Sequence, residues 1–552
     1  MPGYGTERAQ IQWCPHSWRA CEHGAVTDTT EATTSVDDAE GAAAAADGDA
    51  PSAWWHRITP PTAPQVFLAG IVLIWTWYFS VRSLNIHHAL GTATYDSALY
   101  DQGMWLLSQF DTPFVTLMGR NMFGDHTSFV LLFLVPLYWI APGAWIMFTA
   151  QSAAIAAGSI PVFLYARKRL GSEWWALIGA GAYLLHPAVG WTNLENFHPD
   201  AFLGVFVGFA IYAALERKWR LYAVFVVLSL LVKEDVSLVV VPLGIWVAIR
   251  RDRRIGLLTV FGSVAFMAVA MFVVMRSLIG VPTRNTWRIP FGGVGGFIDT
   301  TITNPAQVVE HFRSDGRPWY LVQMTAPFAW LFARLPDVAL ISALVLFTNV
   351  LSTFWYQYQI DYHYSLIAVP ALAIGTVYAI GVLSDRIVEL RGRSVVVPVR
   401  SIALGLLATT TLVTATLWSP MPWGRTPLFY GEPDGVQAVA ARELFDLIPD
   451  DAVVTANYRL TPHLANREEI YQFPVPFRIL LYGPDPSTEG QRLDERSERV
   501  QFVMLPVRLS DELVDDWLAV EAAFTEVARN EFWVLHERDR TVPLPDAPQL
   551  PS

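Results

Sequence analysis

Six short polar clusters interrupt an otherwise apolar chain, and their residue types suit acid–base and anion chemistry. They are Tyr95-Asp96, Asp101-Gln102, Gly124-Asp125-His126, Asn196-Phe197-His198-Pro199-Asp200, Lys233-Glu234-Asp235 and Asp361-Tyr362-His363-Tyr364. A carboxylate at a partly dehydrated interface is pushed towards its protonated form and can take a proton from a hydroxyl. Asp96 and Asp101 are therefore candidate catalytic bases, although aspartate just before a helix also acts as a cap. Asp125 and His126 could hold a divalent metal ion, or simply precede a short apolar helix. The sequence demands no cofactor beyond that candidate ion.

The chain has three lysines, Lys168, Lys218 and Lys233, and only the last stands between apolar runs. Three consecutive ionisable residues at membrane depth are costly unless paired or hydrated. Lys233 suits a phosphate, with Glu234 or Asp235 orienting it or serving in chemistry. Glu195, His198 and Asp200 fall within six residues, too dense in function for a plain solvated turn. Tyr362, His363 and Tyr364 could face a sugar or a lipid head group. Aromatic belts at membrane interfaces need no ligand, so both readings of that patch stand.

The elements that must carry these clusters are membrane helices. Of 552 residues, 53% are hydrophobic and 16% charged, with mean hydropathy +0.32; soluble proteins carry about a quarter charged residues. A net charge of -12 argues against a nucleic-acid partner. Apolar runs near 65–83, 145–165, 174–190, 199–215, 220–232, 236–249, 256–276, 318–334, 336–355, 364–383 and 399–418 predict an all-α polytopic protein with about eleven spans. The stretch 127–140, with Pro136 inside, is too short to cross, and 97–109 reads as a helix lying on the outer surface. Basic clusters at 166–169, 216–220, 250–254 and 385–393 mark cytoplasmic turns. That orientation places the N-terminus in the cytoplasm and all six polar clusters on the opposite side, in a bacterial plasma membrane. Residues 1–60 read as a disordered cytoplasmic tail, and 61–418 as the transmembrane domain. Residues 419–552 read as a small soluble extracytoplasmic α/β domain, with strands at Ala452–Thr455 and Gln501–Leu505 and a helix at Val436–Leu447. Cys14 and Cys21, both in the tail, allow no disulfide framework in the outward parts.

The order Tyr95-Asp96, Asp101-Gln102, Gly124-Asp125-His126, a basic turn and Phe197-His198-Pro199-Asp200 resembles a family of bacterial integral membrane proteins of unknown function. Its Lys-Glu-Asp and Tyr-His-Tyr motifs are matched by 233–235 and 362–364. The same order is similar to the GT-C superfamily, which includes protein mannosyltransferases and aminoarabinose transferases. That resemblance implies a polyprenyl-phosphate-linked sugar as donor, a membrane lipid as partner, transfer outside the cytoplasm, and Asp96 as base. The chain departs from the superfamily at Ser97, where many members carry a second acid. It departs again at Asp125-His126, near where some carry Lys-Pro-Pro. The leading expectation is an inverting glycosyltransferase-like protein in which Lys233, with Arg284 or Arg288, neutralises the departing phosphate. Transport of a lipid-linked or anionic substrate, and a non-catalytic role in envelope assembly, are the alternatives.

Overall fold

The computed structural model describes residues 60–281, 286–390, 393–426, 428 and 431–545. The expected tail up to residue 59, with Cys14 and Cys21, lies outside the described residues, as does Arg284.

Among the described residues, five helices are long and apolar enough to cross a membrane: Ala63–His88, Ala144–Leu170, Arg253–Ile279, His363–Ile380 and Val399–Trp418. Shorter apolar helices run over Pro199–Leu215, Trp219–Leu230 and Ala339–Leu351. The first begins where Thr62 and Gln65 form a reciprocal capping box, with proline in the first turn. Its flank exposes Val66, Phe67, Leu73, Ile74 and Trp77, apolar surface that suits lipid. The helix Val369–Ile380 is apolar all round and almost wholly buried, as a central bundle helix must be. Helices Ser237–Arg250 and Arg253–Val269 touch backbone to backbone: a Cβ on Gly256 would stand 2.2 Å from the Ala248 nitrogen.

The stretch expected to span 318–334 is not one helix. Helix Arg317–Thr325 gives way to a short turn containing Pro327, followed by Ala329 and Trp330 at φ 50° and 52°. Proline lacks the N–H needed to continue a helix, and the left-handed pair redirects the chain. Between Phe129 and Tyr138 there are only short turns of helix, as Pro136 implies.

Nine strands are described. β1 (Phe114–Val115) and β2 (Arg120–Asn121) form a small antiparallel pair. β3 (Arg386–Leu390) and β4 (Arg393–Val397) form an antiparallel hairpin where the sequence reading has only a basic turn. The β-branched residues Ile387, Val388 and Val395 to Val397 are the overlooked signal. The remaining strands are β5 (Val454–Ala456), β6 (Ile470–Gln472), β7 (Phe502–Pro506), β8 (Phe524–Arg529) and β9 (Trp533–Arg538). They make one sheet in the order β6-β5-β7-β9-β8. β5 is parallel to both its neighbours, and β9 is antiparallel to both of its own. Helix Val436–Phe445 lies where the sequence places it.

This C-terminal α/β layer covers the helix Leu99–Ser108, most of whose residues are buried. The Gln102 side-chain nitrogen donates to Thr116 Oγ1 at 2.8 Å and to the carbonyls of Arg467 and Glu468. Thr116 in turn donates to the Ile470 carbonyl at 2.7 Å and accepts from its N–H at 3.0 Å.

Candidate active site

Asp96 sits in a break in the chain. Within Thr94–Ala98 it takes φ 72° and ψ -73°, outside the left-handed helical region and close to a γ-turn, a rare and strained geometry. Asn196 clamps this break from both sides. Its Oδ1 accepts from Ala93 N at 3.3 Å and from the Ser97 hydroxyl at 3.0 Å. Asn196 is held in turn by the fully buried Gln151. The Gln151 side-chain nitrogen donates to the Asn196 carbonyl at 2.8 Å, and its oxygen accepts the His198 N–H at 2.9 Å. One buried amide thus fixes the loop that carries both Asn196 and His198.

Beside Asp96 lies a tight group of one carboxylate and two imidazoles. Glu195 Oε2 is 3.0 Å from His363 Nδ1 and 3.0 Å from His198 Nε2. The two rings stack with centroids 3.6 Å apart, and Asp96 Oδ2 is 3.8 Å from His198 Nε2. The Glu195–His198 approach is off hydrogen-bonding angle, so His198 Nε2 is a buried nitrogen without a hydrogen bond among the described residues. Ligand atoms of Glu195, His198 and His363 lie within 4.8 Å of one another. Two imidazoles, a carboxylate and an orphaned buried nitrogen fit a divalent ion. Burial opposes charge on His198, but Glu195 and Asp96 outweigh it and lift its pKa to about 9. Burial raises the Asp96 carboxyl, against the pull of His198.

Lys233 is buried on the same wall. Its Nζ is 3.8 Å from Asp200 Oδ2, 4.0 Å from Asp235 Oδ2, and 5.9 Å from the centre of the Tyr364 ring. Desolvation disfavours its charge, yet Asp200 and Asp235 more than compensate and raise its pKa well above the usual lysine value. Neither carboxylate reaches hydrogen-bonding distance, so the ammonium is charged but only loosely held. Glu234 points elsewhere, accepting from His126 Nδ1 at 2.8 Å and Thr127 N at 3.2 Å. Burial opposes charge on Glu234, but His126 holds its pKa down to about 2.

These groups surround two adjoining cavities. The inner one, 190 Å³, is lined by Asp96, Arg120, Asp125, His126, His198, Lys233, His363 and Tyr364 among others. The outer one, 860 Å³, shares Asp96, Arg120, His363 and Tyr364 and adds Trp287, Arg288, Tyr356, Tyr362 and the loop from Leu481 to Glu489. The Arg288 guanidinium lies 4.3 Å from the centre of the Phe354 ring.

Of the candidates read from the sequence, Asp96, Asp125, His126, His198, Lys233, Tyr362, His363 and Tyr364 line these cavities, whereas Asp101, Asp200, Glu234 and Asp235 line neither. Asp101 is not beside Asp96 in the site; it is buried against Tyr138, whose hydroxyl donates to Asp101 Oδ1 at 2.8 Å, and it lines neither cavity. Asp125 and His126 do line the inner cavity, but they are engaged by Arg120 at 3.0 Å and by Glu234, and the metal-spaced group is Glu195, His198 and His363. Arg120 escaped notice, though it is the one Lys or Arg in residues 84–144 and could have been singled out for that.

The family described as a predicted membrane protein, DUF2079, matches residues 86–541. The chain belongs to that family. No curated protein matches it. The crystal structure of ArnT from Cupriavidus metallidurans bound to undecaprenyl phosphate is similar, with a TM-score of 0.54 at 14% identity, covering 85% of this chain and 97% of that one. Its apo form gives 0.52 at 14% identity and the same coverage. The cryo-EM structure of mycobacterial arabinofuranosyltransferase AftD gives 0.40 at 15% identity, covering 84% of this chain and 40% of that one. The ArnT likeness makes the fold of this DUF2079 member GT-C-like, as the sequence resemblance implies.

Proposed function

We propose that this DUF2079 protein is a membrane glycosyltransferase. It moves a sugar from a polyprenyl-phosphate donor to an acceptor hydroxyl on the extracytoplasmic side of a bacterial plasma membrane. The observation that carries this reading is that Asp96 and Lys233 line one small cavity, a carboxylate and a buried ammonium facing a shared space. The undecaprenyl phosphate in the similar ArnT structure supports a lipid phosphate as the donor's carrier. In this reading the chain crosses the bilayer about eleven times, with residues 419–552 as an extracytoplasmic α/β domain.

The chemistry follows from the charges. The acceptor hydroxyl gives its proton to Asp96, whose carboxylate opens onto both cavities. The freed oxygen bonds to the anomeric carbon, and the bond from that carbon to the phosphate oxygen breaks. The electron pair leaves with the phosphate, where Lys233 and Arg120 meet the developing charge. Attack and departure on opposite faces invert the anomeric centre. A divalent ion held by Glu195, His198 and His363 would add Lewis-acid stabilisation of that charge. Tyr356, Tyr362 and Tyr364 give the sugar aromatic faces to stack on.

The test is transfer from a panel of radiolabelled polyprenyl-phosphate sugars by purified protein in lipid nanodiscs. Release of free polyprenyl phosphate, abolished in Asp96→Asn, is the expected result. Passage of the intact lipid-linked sugar across proteoliposomes, with no bond cleaved, would replace transfer with transport.

A further inference from the structure

A second polar crevice lies in the C-terminal α/β layer, apart from the cavities above. β5 and β7 run side by side and parallel, ending at Ala456 and Pro506. From β5 the chain goes on to β6 on one side, and from β7 to β8 and β9 on the other. Loops that diverge from adjacent parallel strands open a crevice at their carboxyl ends, where open α/β sheets bind ligands. A cavity of 520 Å³ stands at that position. Asn457, Tyr458 and Arg459 line it from the β5 loop, Arg508 from the β7 loop, Glu531 from the β8–β9 turn and Trp533 from the start of β9.

The lining has a definite chemistry. Arg508 is exposed and forms no ion pair among the described residues. Arg459 uses only Nε, donating to the Leu90 carbonyl at 2.9 Å, which leaves its terminal nitrogens for a ligand. Two guanidiniums in one crevice select a phosphate or carboxylate, since each offers a fork of donors. Trp533 forms a rigid wall, its indole N–H donating to the Gln437 carbonyl at 2.9 Å. Tyr458 is half exposed, and Glu531 is exposed at the rim, so both can hydrogen bond to hydroxyls.

We propose that this crevice binds an anionic saccharide, a sugar bearing a phosphate or a carboxylate. The Tyr458 carbonyl accepts from the Thr94 hydroxyl at 3.3 Å, and Thr94 stands two residues before Asp96. The crevice is thereby tied to the segment that carries the candidate base, although its ligand is recognised by different residues.

The test is calorimetric binding to the full-length, detergent-solubilised protein. The probes are glucose 1-phosphate and glucuronate, with glucose and inorganic phosphate as comparisons. At least one anionic sugar should bind more tightly than glucose and phosphate; which one prevails assigns the anionic group. Arg508→Ala and Arg508→Glu should weaken that binding tenfold or more, and because Arg508 is exposed their melting temperatures should match wild type. The double variant Lys233→Met/Asp200→Asn should bind the probe as wild type does. Phosphate binding as tight as either sugar overturns the saccharide assignment. Absence of binding, or binding that survives Arg508→Glu and vanishes in the double variant, overturns the site.

Discussion

Lys233 Nζ stands 3.8 Å from Asp200 Oδ2, in a place where neither side chain has more than a sliver of exposed surface. Each charge is tolerable because of the other. Removing one partner from a buried pair leaves an uncompensated charge and costs about 3 kcal/mol or more, whereas replacing both by neutral groups costs far less. Lys233→Met should therefore lower the melting temperature by several degrees, and adding Asp200→Asn should restore most of it. The double variant should still fail to bind lipid phosphate. Thermal unfolding and lipid binding, measured on the same three proteins, check this; a double variant that binds normally contradicts the role given to Lys233.

The Asn196 side chain accepts from the Ala93 N–H and the Ser97 hydroxyl, one on each side of Asp96. It is a positioning residue, so Asn196→Ala should slow transfer about a hundredfold, the scale of a small misplacement of a reacting group. Donor affinity should change little. A matched loss of donor binding would mean that Asn196 shapes the phosphate site instead.

Glu195, His198 and His363 predict a metal dependence. Chelation should slow transfer, and added divalent ions should restore it. Glu195→Gln should weaken binding of manganese, followed by electron paramagnetic resonance, at least tenfold, because it replaces a charged oxygen ligand by a neutral one. Unchanged manganese binding in that variant would remove the ion from the account.

Asp101 predicts a pH effect on stability rather than on chemistry. Burial raises its pKa from the ordinary 3.8 to about 6, although Asn466 and Tyr138 act the other way. The folded protein therefore holds this proton more tightly than the unfolded chain does. The resulting stability is present below the unfolded value and is lost as pH rises through about 6. Above that, the buried carboxylate costs roughly 2–3 kcal/mol, at 1.36 kcal/mol for each unit of pKa. Asp101→Asn should melt higher than wild type at pH 7.5, with the difference disappearing near pH 4. A variant less stable than wild type at pH 7.5 contradicts this.

The membrane helices were legible because their signal is local. A run of apolar residues long enough to cross shows itself without knowledge of its neighbours, and Ala63–His88 and Val399–Trp418 fall where hydropathy puts them. The polar clusters were legible as unusual chemistry in apolar surroundings, which is how Asp96, His198, Lys233 and His363 stood out. Partnership was not legible. Nothing in the chain says that Glu195 meets His363, 168 residues later, or that Asp101 turns towards Tyr138 while Asp96 turns towards His198. Gln151 looks like one polar residue in an apolar helix, and its importance appears only once its bonds to Asn196 and His198 are seen. The short strands β6, β8 and β9 were missed because three to six residues among prolines and charges carry little periodicity.

In the proposed mechanism one cavity separates two tasks, phosphate recognition by Lys233 and proton removal by Asp96. The most direct measurement is binding of bare undecaprenyl phosphate and of polyprenyl-phosphate sugars to the wild type, the Lys233→Met/Asp200→Asn variant and the Asp96→Asn variant, each in detergent. Binding should be lost in the lysine variant and kept in the aspartate variant, which binds donor but does not turn it over. Equal binding by all three proteins, or no binding of any lipid phosphate by the wild type, would contradict it.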